Sequence, residues 1–190
     1  KKSIISKKAK ELGFDLIGFT KKSIKNIHKV NLKKFLEKNH HGEMKWLEEH
    51  YEKKIEPAKL WNEVRTIIVL GLNYGPQENP IIDNKKKEKA NISVYAKNKD
   101  YHLVIEEKLR ELKHWISDYY KIDSKFFVDK YPVFEKPIAQ MAGLGWIGKH
   151  TNLVSKKIGS WFFLSEIFLP IDIDLDSEES DHCGSCNSCL

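Results

Sequence analysis

The stretch Ile67-Ile68-Val69-Leu70-Gly71-Leu72-Asn73-Tyr74 decides the fold. Consecutive branched aliphatic residues without polar alternation read as a strand buried on both faces. Toward the N-terminus, Pro57 ends a helix that starts at Met44-Lys45-Trp46-Leu47 and runs to about Lys54, and Gly42 separates it from a helix carrying Leu32, Phe35 and Leu36. Earlier still, Ile4, Ile5, Ala9 and Leu12 lie at helical spacing, Gly13 stops that helix, and Phe14-Asp15-Leu16-Ile17-Gly18-Phe19 reads as a strand. Toward the C-terminus a polar loop runs from Gly75 to about Ala90 and holds Lys85-Lys86-Lys87, a solvated run. Ile105, Leu109, Leu112, Ile116 and Tyr119 then recur at three- and four-residue steps, which predicts a helix over 101–120 with a core-facing stripe. Phe126-Phe127-Val128 reads as a short strand presenting Asp129 at its end, and 160–168 as another strand. Strands interleaved with helices predict an α+β sandwich, a mixed sheet flanked by helices, over an all-α or all-β fold.

The 190 residues suit one soluble domain, with a second beginning at the cysteines. No run of about eighteen apolar residues occurs, and Lys1-Lys2-Ser3-Ile4-Ile5 is followed by more lysines rather than a signal-peptide core, so the reading is cytoplasmic with no membrane contact. The net charge of +6 rests on lysine, with Arg65 and Arg110 the only arginines, and favours a polyanion such as RNA. Asp172 to Asp181 forms an acidic stretch that reads as a linker.

All three cysteines, Cys183, Cys186 and Cys189, lie at C-x2-C-x2-C spacing. Three thiolates on a small-residue loop take three corners of a [4Fe-4S] cube, whose usual fourth ligand lies a few residues on. A zinc knuckle, with adjacent His182 poorly placed to share the ion, and unpaired surface thiols are the other readings.

The densest segment is 128–152. Gly143, Gly145 and Gly148 allow close backbone approach or positive φ, and Lys149 is suited to an anionic group such as a phosphate. As a dinucleotide fingerprint the Gly-x-Gly-x-x-Gly string lacks its preceding strand and its later acidic residue. Asp129 is suited to general-acid work, because a carboxyl held against an apolar face keeps its proton more readily; a strand-end Asp capping the turn before Pro132 is the structural alternative. Tyr101 and His102 stand at the start of the long helix, where His102 is either a helix-start residue or a proton relay.

Gly13-Phe14-Asp15, Gly42-Glu43-Met44, Tyr95-Ala96 with Asp100-Tyr101-His102, Val128-Asp129 with Pro132-Val133 and Glu135, Ala142-Gly143-Leu144-Gly145-Trp146-Ile147-Gly148-Lys149, Gly159-Ser160-Trp161, and the cysteine run occur together in this order. In that joint pattern the chain resembles epoxyqueuosine reductase along essentially its whole length. The resemblance implies a cobalamin-dependent enzyme with two [4Fe-4S] clusters that reduces epoxyqueuosine in a tRNA anticodon loop to queuosine, drawing on an external electron donor and working as a monomer. By position, Asp129 matches the proton donor above the corrin, and Tyr101 and His102 match residues lining its pocket. Trp146, Lys149, Asn152 and Ser155 match the cobalamin-holding segment, with Gly145 allowing close approach, and Cys183, Cys186 and Cys189 match ligands of the first cluster. Lys54 departs from the family, which usually has an Arg-x-Asp-Pro where this chain has Lys54-Ile55-Glu56-Pro57, so a fork-like contact to a phosphate or propionamide becomes a point charge. The expected organisation is a cobalamin-binding and catalytic domain over 1–171, an acidic linker over 172–182, and the start of a ferredoxin-like cluster segment over 183–190, cut before the fourth ligand, the second cluster motif and the C-terminal RNA-binding region. A corrinoid and iron–sulfur reductase of a small molecule, as in reductive dehalogenases, and a non-catalytic electron-transfer or metal-binding module are the alternatives.

Overall fold

The computed structural model describes residues 1–80, 82 and 87–189. Lys85 and Lys86, and with them most of the lysine run, lie outside the described residues, as does Leu190. The strands are β1 (Leu16–Lys21), β2 (Thr66–Asn73), β3 (Lys125–Phe127), β4 (Trp146–Ile147), β5 (Leu153–Val154) and β6 (Phe162–Leu169). The helices are α1 (Lys2–Glu11), α2 (Asn26–Glu37), α3 (Trp46–Glu49), α4 (Tyr51–Ile55), α5 (Tyr101–Tyr120) and α6 (Glu135–Met141). Four strands form the main sheet in the order β1-β2-β6-β3, and β4 and β5 make a separate hairpin.

β2 is buried on both faces, as its sequence predicts. Ile67 and Val69 pack into a core with Trp61, Val64, Ile138 and Ala139, while Ile68 and Leu70 face Ile5, Ile105, Leu109 and Ile116 on the opposite side. The α+β class therefore stands, but the sheet is antiparallel at every described pairing rather than mixed. The connection through α5 brings β3 back in the direction of β2, as a β-α-β crossover does, and β6 is inserted between them antiparallel to both. Among the described residues no parallel neighbours result.

α5 begins where the Asp100 carboxylate accepts the backbone N–H of His102 at 2.9 Å and ends at Lys121 in the left-handed conformation, φ 57°. Ile105, Leu109, Leu112 and Ile116 are completely buried, worth about 1.5–3 kcal/mol each. Tyr119, expected in the same stripe, is 57% exposed and stacks on Trp115 at the surface. The helix expected from Met44 to Lys54 is two short helices broken at His50. Among the described residues no helix is long and apolar enough to cross a membrane.

The acidic stretch does not stand off as a free linker. Asp176 bonds to the exposed edge of β1, its N–H donating to Phe19 O at 2.8 Å and its carboxylate accepting from Phe19 N at 2.9 Å. Ile173 is buried in the α5-side core, and Glu179 exchanges bonds with Gln140 on α6. A sheet edge left open is a template for pairing with other chains, and this strap covers it.

Candidate active site

Asp129 follows β3, at the end of the sheet where α5 begins. Its Oδ2 accepts the Tyr101 hydroxyl at 2.5 Å and lies 3.1 Å from His102 Nε2. His102 Nδ1 is 2.8 Å from Asp100 Oδ1, so the ring stands between two carboxylates, a bridge that a doubly protonated imidazole fills with two donors. Burial, and then the bond to Asp129, push the Tyr101 hydroxyl well above the usual tyrosine range, so Tyr101 keeps its proton and donates. Both contacts fall on Oδ2, which leaves Oδ1 able to carry a proton without disturbing either. The side chain of Asp129 is 55% exposed, so the apolar confinement expected there is not supplied by this chain alone.

Confinement is found instead at two carboxyls behind the loop. Glu135, in the first turn of α6, accepts the Asp129 backbone N–H at 3.1 Å, and burial pushes its carboxyl up to about 7. Glu166, in β6, is completely buried, neither oxygen has a hydrogen-bond partner among the described residues, and desolvation raises it well above the usual carboxylate range. Lys54 on α4 donates to Val133 O at 3.2 Å in the same loop; burial depresses its ammonium, against the opposing pull of Glu135, Glu166 and Asp129. Neither Glu135 nor Glu166 was assigned a role from sequence. The signal available for Glu166 was its position, since Phe162, Leu164, Glu166 and Phe168 share one face of a core strand.

Beside this cluster, a cleft of about 390 Å³ is walled by Leu72, Tyr74, Tyr95, Tyr101, Val104 and Phe163. Tyr101 stacks on Phe163 at 4.0 Å between ring centroids, and Phe163 meets Tyr74 at 4.5 Å with the rings tilted by 34°. An aromatic wall with a carboxyl at its rim suits an apolar ring system with a polar edge.

The glycine-rich segment packs closely against its own chain. A Cβ on Gly145 would fall 2.1 Å from Val154 O, and one on Gly143 (φ 76°) would fall 2.6 Å from Ser177 O. The close approaches are thus made by the β4–β5 hairpin and by the acidic strap. Trp146 donates its indole N–H to Cys183 Sγ at 3.3 Å, and Lys149 donates to Gly184 O at 2.9 Å and Cys186 O at 2.7 Å. Asn152 Oδ1 accepts from Lys136, and Ser155, buried, closes the hairpin against Gly159. The three cysteines are free thiols, Cys186 and Cys189 exposed. Among the described residues no three His, Cys, Asp or Glu side chains are gathered closely enough to hold a single metal ion.

Comparison with known proteins follows the same geography. The family described as epoxyqueuosine reductase QueG, DUF1730, matches residues 54–130, from Lys54 through Asp129. Curated proteins named epoxyqueuosine reductase match nearly the whole chain. The one from Cellulophaga algicola is 38% identical over 188 residues, 98% of this chain and 60% of the relative, and that from Escherichia coli 32% identical over 182 residues, 95% and 48%. The chain is a homologue of the epoxyqueuosine reductases. It spans about half the length of many of the curated relatives it matches. A crystal structure of selenomethionine-labelled epoxyqueuosine reductase superposes with a TM-score of 0.84 at 26% identity, over 100% of this chain and 50% of that one. The structure of an epoxyqueuosine reductase with an epoxyqueuosine-modified tRNA-Tyr stem loop gives 0.83 at 26%, with the same coverage. A reductive dehalogenase, at 12% identity, a TM-score of 0.56, and over 93% of this chain and 21% of that one, shares the fold alone.

Of the residues read from the epoxyqueuosine reductase pattern, the structure therefore brings Tyr101, His102 and Asp129 together, with Lys54 behind them. Trp146 and Lys149 form a second group with Cys183 and Cys186. Gly145, Asn152 and Ser155 serve the hairpin that carries that group.

Proposed function

We propose that this chain carries the acid-bearing part of an epoxyqueuosine reductase that converts epoxyqueuosine to queuosine in the anticodon loop of tRNA, with cobalamin and [4Fe-4S] clusters as cofactors and an external electron donor. The observation that carries the reading is the convergence of Tyr101 and His102 on Asp129 at the rim of an aromatic cleft, in a homologue of proteins named for this reaction. Converting the epoxide to an alkene consumes two electrons and two protons and releases water, and no ordinary side chain supplies the electrons. Cobalamin, when bound, supplies reducing equivalents that protein groups cannot. Tyr74, Tyr101 and Phe163 offer it or the substrate base an aromatic wall and exclude water from that side.

The chain's own chemistry lies in the acid. Tyr101 and His102 hold Asp129 by Oδ2 in one orientation, and a proton on Oδ1 is delivered to the departing oxygen. With the Asp129 side chain 55% exposed, solvent reaches Oδ1 to restore it. The donor chemistry of Cys183, Cys186 and Cys189 fits an iron–sulfur centre, and the indole N–H on Cys183 is the kind of contact that tunes one.

The test uses the complete gene product purified from cobalamin-fed cells. Wild-type protein should show corrinoid absorption and form queuosine on epoxyqueuosine-containing tRNA. Asp129→Asn should retain corrinoid and melting temperature and lose turnover by roughly 10²–10⁴-fold. Protein without corrinoid, or an Asn variant of near wild-type activity, would overturn the assignment.

A further inference from the structure

Asp129 sits in an unusual backbone conformation. Its φ is +41°, and the N–H of Lys130 bonds back to Val128 O, so Asp129 is the central residue of a γ-turn. A γ-turn with positive φ is rare, and for a residue with a Cβ it persists only where the surroundings over-determine it. Tyr101 and His102 hold the side chain; the backbone N–H is held by Glu135 Oε1 at 3.1 Å. Lys54 fastens the other end of the same loop at Val133 O. Behind Glu135 lies Glu166, completely buried with both carboxyl oxygens unpartnered among the described residues, an arrangement that no packing requirement of β6 calls for.

We propose that Glu135 is the positioning residue that holds Asp129 in its left-handed turn, with Lys54 fastening the far end of the same loop at Val133 O. Nothing in the acid's own chemistry requires either group. Asp129 from the loop, Lys54 from α4, Lys136 from α6 and Glu166 from β6 are the charged and titratable groups facing Glu135. An ionised Glu135 is the stronger acceptor for the Asp129 N–H, so the hold tightens as Glu135 loses its proton near pH 7. The inference takes from the proposed function only the importance of Asp129, and its test needs neither cofactor nor substrate.

The experiment follows the Asp129 amide by NMR in the ¹⁵N-labelled chain between pH 5 and 8.5. In the wild type its proton shift should show an inflection near 7, moving downfield as Glu135 ionises. Glu135→Gln keeps an acceptor oxygen but cannot titrate, so the inflection should vanish while exchange with water stays slow. Glu135→Ala should speed exchange at Asp129 by about tenfold or more, with Ile68 in the sheet core unchanged. In the complete protein, Glu135→Ala should lower kcat by up to about 100-fold at unchanged KM, as displacement of a catalytic group does, and Glu135→Gln should restore most of it. An inflection near 7 that survives in Glu135→Gln overturns the proposal, as does unchanged exchange at Asp129 in Glu135→Ala. Should Glu135→Ala fail to fold, the Gln titration alone decides. A protein that proves to lack reductase activity leaves every NMR arm intact.

Discussion

The hydroxyl of Tyr101 donates to Asp129 Oδ2 at 2.5 Å while its ring lies stacked 4.0 Å from Phe163. One side chain thus joins the wall of the cleft to the acid at its rim. Tyr101→Phe keeps the wall and deletes the donor. A hydrogen bond to a charged group is worth about 1.5–3 kcal/mol, so turnover of the complete protein should fall about 10- to 100-fold, with the melting temperature lower by several degrees at most. Equal rates for the two proteins would mean that His102 alone orients the acid.

The buried carboxyls give folding stability a definite pH dependence. Glu135 releases its proton near 7 in the folded chain and near 4.5 when unfolded, and Glu166 is shifted in the same direction. Between those values the unfolded state binds fewer protons than the folded one, so stability is greatest below about 4.5 as far as these groups decide it, and falls as pH rises toward 7. Melting temperatures at pH 5, 6, 7 and 8 should decline in the wild type. They should decline less in Glu166→Gln, which should be the more stable protein at pH 8; parallel curves would show that Glu166 is not charged at the expense of the fold.

The strap over β1 is testable at one residue. Asp176→Ala removes the acceptor for Phe19 N–H and the ion pair with Lys2 at 2.6 Å. Loss of a partly buried charged partner should cost about 1–3 kcal/mol in urea unfolding. Asp174→Ala, at an exposed position of the same stretch, should change it by less than about 0.5 kcal/mol. Similar losses in both variants would reduce the strap to an effect of net charge.

Trp146 and Lys149 hold the cysteine turn through Cys183 Sγ, Gly184 O and Cys186 O. Trp146→Phe and Lys149→Met should each free the turn, and alkylation of Cys183 should accelerate by up to about tenfold, the equivalent of one hydrogen bond. Mass mapping of iodoacetamide adducts measures this, with the exposed Cys189 as internal standard. Unchanged ratios of Cys183 to Cys189 labelling would show that the turn holds itself.

The core of this fold is written locally. Ile105, Leu109, Leu112 and Ile116 announce α5 because one face of a helix meets water and the other does not, and Ile67 to Leu70 announce a strand enclosed on both sides. Strand direction is not local, and the insertion of β6 between β2 and β3 is what made the sheet antiparallel. Asp129, Tyr101 and His102 were legible as residue types at element ends. Glu135 and Glu166 were not, because their meaning depends on which side chains α4, α6 and β6 bring together. Lys149 and the glycines were legible as special, but that they meet later parts of their own chain was not, because Val154, Ser177, Gly184 and Cys186 are brought to them only by the fold.

α6 has one consequence beyond the site it opens. Its first residue, Glu135, is bonded to the backbone of the acid, and Gln140, near its other end, is bonded to Glu179. Seven residues of helix make a rod of about 10 Å. From Glu179 to Cys183 the chain has four steps, a leash of roughly 14 Å at full stretch. The cysteine turn and the Asp129 turn are therefore tied to opposite ends of one stiff spacer, and the length of the leash sets how far the one can move from the other.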